Sequence, residues 1–207
     1  MMDPKVRSVM DEYQQRLDTE NLETSKFDSD MYLRRRDAFL LGIGPETGTF
    51  LNILIKLGRP KVIVEVGTSY GYSTLWLAEA AACVGAKLIT TEIDAEKSSY
   101  AAAMLCKAGL ESCVEFITGD ALTVLSDLDG QIDFALIDLW KELYVPSFER
   151  IFPKLSHGAV VFADNMTSPA YQRESAANYI AHVRNTPGIE SVTIPIGSGI
   201  EMSIFQR

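Results

Sequence analysis

Two short stretches of this 207-residue chain carry side chains that could do chemistry together. Asp138-Leu139-Trp140-Lys141 and Asp164-Asn165 each follow an apolar run, IDFALI and AVVFA. Asp138, Asp164 and Asn165 are hard oxygen donors, and a set of this size that leaves room for water or substrate fits octahedral Mg²⁺. Lys141 stands three residues after Asp138; a lysine beside a divalent cation can have its proton affinity lowered and serve as a general base. The competing reading is structural, with Asp138 capping the following helix and Lys141 solvated. The paired Asp164-Asn165 favours a site.

A second group lies in Val62–Ser73, VIVEVGTSYGYS. Apolar and β-branched residues flank Glu65, Gly67 and Gly71 mark a loop, and Ser73 opens an apolar-periodic helix, so the stretch reads as buried strand, tight turn and helix. Such a turn is a cofactor cradle: glycine lets the backbone approach a ligand, and a helix N-terminus offers unpaired N–H groups. Glu92, 25 residues past Gly67, ends the next strand, where a carboxylate can accept hydrogen bonds from both hydroxyls of a ribose. A dinucleotide fingerprint would read GxGxxG, with a pyrophosphate on the helix N-terminus. Here Gly67-Thr68-Ser69-Tyr70-Gly71 follows a glutamate that would repel a pyrophosphate. A cationic amino group suits Glu65 better, which favours S-adenosylmethionine over NAD.

These residues need a scaffold, and the periodicities supply one. Strands are expected at 62–66, 87–93, 114–118, 132–137 and 159–163, alternating with helices at 73–83, 95–108, 122–128, 145–155 and 171–184. Two closing strands, 190–194 and 200–205, flank Gly197-Ser198-Gly199, a hairpin signal. Three helical stretches precede the first strand: residues 3–17, about 31–41, and one after Pro45 whose buried face is Phe50, Leu51, Leu54, Ile55 and Leu57. The expected fold is α/β: a Rossmann-like, doubly wound, seven-stranded sheet, mainly parallel, with an antiparallel C-terminal hairpin strand and appended N-terminal helices. The chain reads as one domain, 1–207, with a helical cap at 1–60 and the core at 61–207. Ligands of such sheets bind beyond the carboxyl ends of the strands. Five consecutive strand ends carry acids, at Glu65, Glu92, Asp120, Asp138 and Asp164.

The net charge of −9 argues against a nucleic-acid partner. Arg34-Arg35-Arg36, the one basic cluster, reads as a solvated helix face or subunit contact. Three cysteines without CxxC spacing indicate neither a disulfide framework nor a zinc site. No apolar run reaches a membrane-spanning length. The expectation is a soluble cytoplasmic protein without a membrane partner, with a homodimer through the N-terminal helices as a possible state.

VEVGTSYGYST, TEID, IDLWK and ADN, in this order and at these spacings, resemble the cation-dependent O-methyltransferases of the catechol and caffeoyl-CoA type. The match runs from about Ile43 to Phe205, and the DxWK form of Asp138–Lys141 is closer to the catechol branch. The resemblance implies that Asp138, Asp164 and Asn165 bind the metal, Mg²⁺ or another divalent cation such as Mn²⁺ or Ca²⁺, and that Lys141 takes the substrate proton. It also implies S-adenosylmethionine contacts at Ile43, Glu65, Gly67, Ser73, Glu92, Ala121 in the adenine-side loop after Asp120, and Asp138. Leu139 departs from the histidine of the catechol branch, and no counterpart of that branch's later substrate-side glutamate can be placed.

The implied reaction is Mg²⁺-dependent methyl transfer from S-adenosylmethionine to a hydroxyl of a vicinal diphenol, a small phenolic substrate. Tyr70, Trp140 and Tyr144, with the loop at 166–171, are candidates to wall the ring. His157 and His182 read as surface residues. Three alternatives stay open: a non-catalytic S-adenosylmethionine-binding or scaffold protein, an NAD-dependent oxidoreductase, and a metal-independent methyltransferase for another small acceptor.

Overall fold

The structure, a computed structural model, describes residues 2–168 and 173–206. Seven strands form one sheet in the order β3-β2-β1-β4-β5-β7-β6: β1 (Val62–Val66), β2 (Lys87–Glu92), β3 (Val114–Thr118), β4 (Ile132–Ile137), β5 (Leu155–Ala163), β6 (Ile189–Ile194) and β7 (Ile200–Phe205). The strands β1 to β5 pair in parallel, and β7 runs antiparallel to both β5 and β6. The central strands β1 and β4 are nearly all buried, which is why they read as continuous apolar runs and not as alternating ones. Chain order reverses between β1 and β4, so the crevice for a ligand opens beyond their carboxyl ends.

The helices are α1 (Pro4–Thr24), α2 (Ser29–Arg35), α3 (Pro45–Gly58), α4 (Tyr72–Val84), α5 (Ala95–Ala108), α6 (Ala121–Asp127), α7 (Tyr144–Ile151) and α8 (Arg173–Arg184). One core joins α1, α3, α4 and α5 to one face of the sheet; a second joins α6, α7 and α8 to the other. Among the described residues no helix is long and apolar enough to cross a membrane.

Of the first two helices, α1 packs into the main core and α2 buries none of its residues. Val6, Val9 and Tyr13 of α1 lie in the same core as Leu77 and Leu105, and each is no more than 1% exposed. At about 1.5–3 kcal/mol for each large side chain buried, α1 is part of the fold's main stabilisation. It also continues to Thr24, seven residues past its expected end at Leu17. Once a docked helix is nucleated each further residue adds a hydrogen bond at low cost, and the Arg16–Glu20 ion pair at 2.6 Å supports the added turns. The polar composition of this segment reflects exposure.

Other boundaries shift for local reasons. The α4 helix begins at Tyr72, one residue before the expected Ser73, with Gly71 at φ +88° as its N-cap. The α7 helix is shorter than expected because 3₁₀ turns at Lys141–Leu143 and Phe152–Lys154 flank it. The β5 strand starts four residues early, with a register shift against β4 between the pairs at Ile132 and Phe134. In α3, Leu57 is 77% exposed rather than buried, while Leu51 and Ile55 form the inner face. The start expected for the last helix, at 171–172, lies outside the described residues, as does part of the loop expected to wall the substrate.

Candidate active site

A cavity of about 820 Å³ opens at the carboxyl ends of β1, β2, β3 and β4. Ile43, Gly67, Ser73, Glu92, Ala121 and Asp138 all line it, with Trp140 and Asn165. Its roof comes from the N-terminal segment, where Glu20 of α1 accepts the Leu40 N–H at 2.7 Å and so pins the extended stretch leading to Ile43.

The glycine loop lines the cavity through Gly67, and its glycines also serve the protein's own packing. A Cβ on Gly67, at φ +104°, would lie 2.0 Å from the Asp138 carbonyl oxygen; one on Gly71 would lie 2.7 Å from Ala101 Cβ and 3.0 Å from the Tyr13 hydroxyl. Both glycines make room for the protein's own backbone and side chains. Gly67 brings the end of β1 against the end of β4, and the Asp138 N–H donates to the Val66 carbonyl at 2.9 Å. The Tyr13 hydroxyl donates to the Tyr70 carbonyl at 2.6 Å, tying α1 to the same loop.

Glu65 does not line the cavity. It is fully buried one residue before the end of β1, and its Oε2 accepts from Thr74 and Thr90 at 2.6 Å each. Oε1 is buried without a hydrogen-bond partner. Burial pushes the carboxyl up to about 7, with the hydroxyls of Ser73, Thr74 and Thr90 pulling it back down. Strand alternation turns this side chain beneath α4, so Ser73 presents the contact at the cavity wall. An orphaned, desolvated carboxylate oxygen behind that wall fits the cationic amino group of an S-adenosylmethionine-type molecule.

Glu92 stands at the end of β2 with Oε2 accepting from the Ser69 N–H at 2.8 Å and Oε1 from the Asp94 N–H at 3.0 Å. Both bonds fix the carboxylate toward the cavity, and each oxygen keeps a lone pair for a hydroxyl. Asp120 caps α6 by accepting from the Thr123 N–H at 2.9 Å, which places Ala121 at the cavity edge.

At the ends of β4 and β5 the chain gathers Asp138, Lys141, Asp164 and Asn165. Lys141 is 5% exposed; its Nζ donates to the Asp164 carbonyl at 2.8 Å and to Asn165 Oδ1 at 3.3 Å, and lies 3.7 Å from the centroid of the Tyr144 ring. Burial lowers its pKa to about 8 against the opposing pull of Asp138 and Asp164. Burial raises Asp164 to about 7, with the charge of Asp138 adding to the rise, and burial also raises Asp138. Asp164 Oδ1 is buried without a partner, and Asn165 sits at φ +58° with Nδ2 donating to Asp164 Oδ2 at 3.0 Å.

Among the described residues no cluster contains three or more of the acids, histidines and cysteines that usually hold metals. The donor set here is two carboxylates and an amide. Two desolvated carboxylates, with the charge of Asp138 raising the pKa of Asp164 and one oxygen orphaned, fit a hard divalent cation, which would offset their repulsion.

Some expectations fail. Tyr144 is buried under the acidic cluster as the platform for Lys141, and Tyr70 packs edge-on against Tyr100, so neither lines the cavity; Trp140 does. Arg36 is not a solvated helix residue: it lines the cavity with its guanidinium carbon 4.2 Å from the centroid of the Trp140 ring. Spacing along the sequence gives no sign of that contact. His157 lies in β5 outside the cavity, and His182 stacks edge-on against Phe148, with Glu149 3.8 Å away.

The chain is 36% identical over 131 residues to a caffeoyl-CoA O-methyltransferase of Stellaria longipes, covering 60% of this chain and 54% of that one. It is 35% identical over 130 residues to a catechol O-methyltransferase of Niastella koreensis, covering 61% and 58%. The chain thus spans little more than half the length of these relatives. The crystal structure of an O-methyltransferase from Bacillus cereus in complex with SAH has the same fold, with a TM-score of 0.74 at 23% identity over 96% of this chain and 91% of that one. The profile of the O-methyltransferase family matches residues 33–204, and the chain belongs to that family.

Proposed function

We propose that this chain is an S-adenosylmethionine-dependent O-methyltransferase that methylates a hydroxyl of a catechol-like small molecule with the help of a divalent cation, Mg²⁺ foremost. Asp138, Asp164 and Asn165 would hold the cation, and Ile43, Ser73, Glu92, Ala121 and the buried Glu65 would hold the methyl donor. The donor supplies an electrophilic methyl group, and the cation supplies the acidity and the alignment of two adjacent oxygens.

The remaining chemistry falls to the chain. Lys141 carries the reading: a buried lysine with a pKa near 8 exists partly as the neutral amine close to neutral pH. Its bonds to the Asp164 carbonyl and Asn165 Oδ1 use both N–H groups of a neutral amine and leave the lone pair for a proton from the acceptor hydroxyl. Trp140 lines the cavity as an apolar wall one residue before Lys141.

The test is incubation with S-adenosylmethionine and a panel of catechols, with Mg²⁺ and with chelator, using wild type, Asp138→Ala and Lys141→Ala. The expected outcome is methylation abolished by chelation and by Asp138→Ala. Lys141→Ala should lower kcat by about 10²-fold or more with little change in donor affinity. Turnover that survives chelation would sink the metal role, and near-wild-type kcat in Lys141→Ala would remove the base.

A further inference from the structure

A second cavity, of about 660 Å³, lies at the amino ends of β1, β4 and β5, at the opposite end of these strands from the candidate active site, and shares no lining residue with it. Gly58 ends α3, and Pro60 cannot continue the helix. Val160 of β5 and Met202 of β7 stay half-buried on the cavity floor, beside the fully buried Phe162. Leu54 and Leu57 of α3 form an apolar wall, and Leu57 is 77% exposed. A trough of this volume, mostly apolar with a few polar groups, has the dimensions of a small-molecule site.

Its charged groups are mainly cationic, although the chain carries a net charge of −9. Arg59 and Lys61 line it. Asp133, the one acid in the wall, is engaged by the protein's own groups: Oδ2 accepts the Lys61 and Val62 N–H groups at 2.8 and 3.0 Å, and Oδ1 accepts the Ser156 hydroxyl at 2.6 Å. The Arg59 guanidinium has no hydrogen bond or ion pair among the described residues. Arg59 also sits at φ +49° as the left-handed cap of α3, a position that glycine fills with least strain. A long cationic side chain held in a strained backbone conformation points to a use for that side chain. A guanidinium fork beside an apolar trough matches a carboxylate that carries a hydrocarbon tail.

We propose that this cavity is a binding site for a straight-chain fatty carboxylate of medium length. The carboxylate lies on Arg59 and Lys61, and the tail runs along Leu57, Val160 and Met202. The charge of the mouth selects the head group, and the apolar floor holds the tail by burial. Because the two cavities have no residue in common, the assignment is independent of the methyl-transfer reading.

The test is calorimetric titration of octanoate, decanoate and octan-1-ol into wild type, Arg59→Gln, Arg59→Gly and Leu57→Glu, with urea unfolding and sedimentation velocity of each protein. Wild type should bind octanoate about tenfold more tightly than octan-1-ol, as a charge-assisted contact implies. Decanoate should bind about tenfold more tightly again, because each buried CH₂ strengthens binding by about three- to fourfold. Arg59→Gln and Arg59→Gly should both lose the preference for octanoate over octan-1-ol, and Arg59→Gly should keep or raise the urea midpoint as strain is relieved. Leu57→Glu, at an exposed position, should fold normally and weaken decanoate by about tenfold or more. Absence of saturable octanoate and decanoate binding to wild type would overturn the assignment, as would equal affinity for octanoate and octan-1-ol. An Arg59 that serves only the helix end would give a lower urea midpoint with unchanged octanoate affinity in both variants, which also overturns it. A second copy of the chain as the occupant would show as a concentration-dependent dimer that Leu57→Glu abolishes, with no carboxylate binding, and would replace the assignment.

Discussion

Gly67→Ala tests whether this glycine serves a ligand or the protein's own packing. The Cβ it adds would lie 2.0 Å from the Asp138 carbonyl oxygen and 2.8 Å from the carbonyl carbon, where real Cβ atoms essentially never come within 3.0 Å. The ends of β1 and β4 must therefore part by about 1 Å, and the Asp138 N–H to Val66 carbonyl bond must stretch. Overpacking that shifts backbone costs about 1–3 kcal/mol, and the positive φ of +104° adds about 1–2 kcal/mol for an L-residue. Gly130 separates the two effects, since its φ is +92° but an added Cβ meets nothing within 4 Å. In urea unfolding, Gly130→Ala should lose about 1–2 kcal/mol from strain alone, and Gly67→Ala about 1–3 kcal/mol more. Calorimetric titration should also show weaker S-adenosylmethionine and Mg²⁺ binding in Gly67→Ala, because Asp138 moves. Equal losses of stability in the two variants would refute the packing argument.

Glu65 and Tyr13 give two further tests. Because burial lifts the folded-state pKa of Glu65 from the ordinary 4.5 to about 7, its contribution to stability is greatest below pH 4.5 and is lost as pH rises from there to about 7. The loss is about 3 kcal/mol. Asp164, also raised, acts in the same direction. Glu65→Gln should remove the Glu65 share, so urea midpoints of donor-free protein at pH 5 and pH 8 should differ less in the variant; parallel profiles would mean that Glu65 stays ionised through some compensation the structure does not contain. Tyr13→Phe deletes the 2.6 Å bond to the Tyr70 carbonyl without changing the ring packing, and should cost about 1–2 kcal/mol by thermal or urea unfolding. No loss would mean that water replaces the hydroxyl.

The sheet was legible because its central strands are buried on both faces, which forces continuous apolar runs such as VIVEV and IDFALI. The acids at the strand ends were legible for a related reason: a parallel sheet delivers each strand end to the same edge, so Glu92 and Asp138 could be assigned to one crevice before their positions were known. The length of α1 was not legible, because residues 18–24 are polar and their helicity depends on docking upstream at Val6, Val9 and Tyr13.

For this protein, then, the sequence by itself determined the element order, the crevice and which acids and lysine follow its strands, since hydrophobic periodicity and strand direction are local properties. Tertiary structure alone decided what each of those residues faces. It turned Glu65 away from the cavity into a desolvated pocket, gave the space at Gly67 to the Asp138 backbone, set Lys141 on the Tyr144 ring between two oxygen acceptors, and brought Arg36 across to Trp140. Those outcomes depend on contacts between residues distant in the chain, where burial and neighbouring charge set both pKa and geometry, and no local pattern of residue types carries that information.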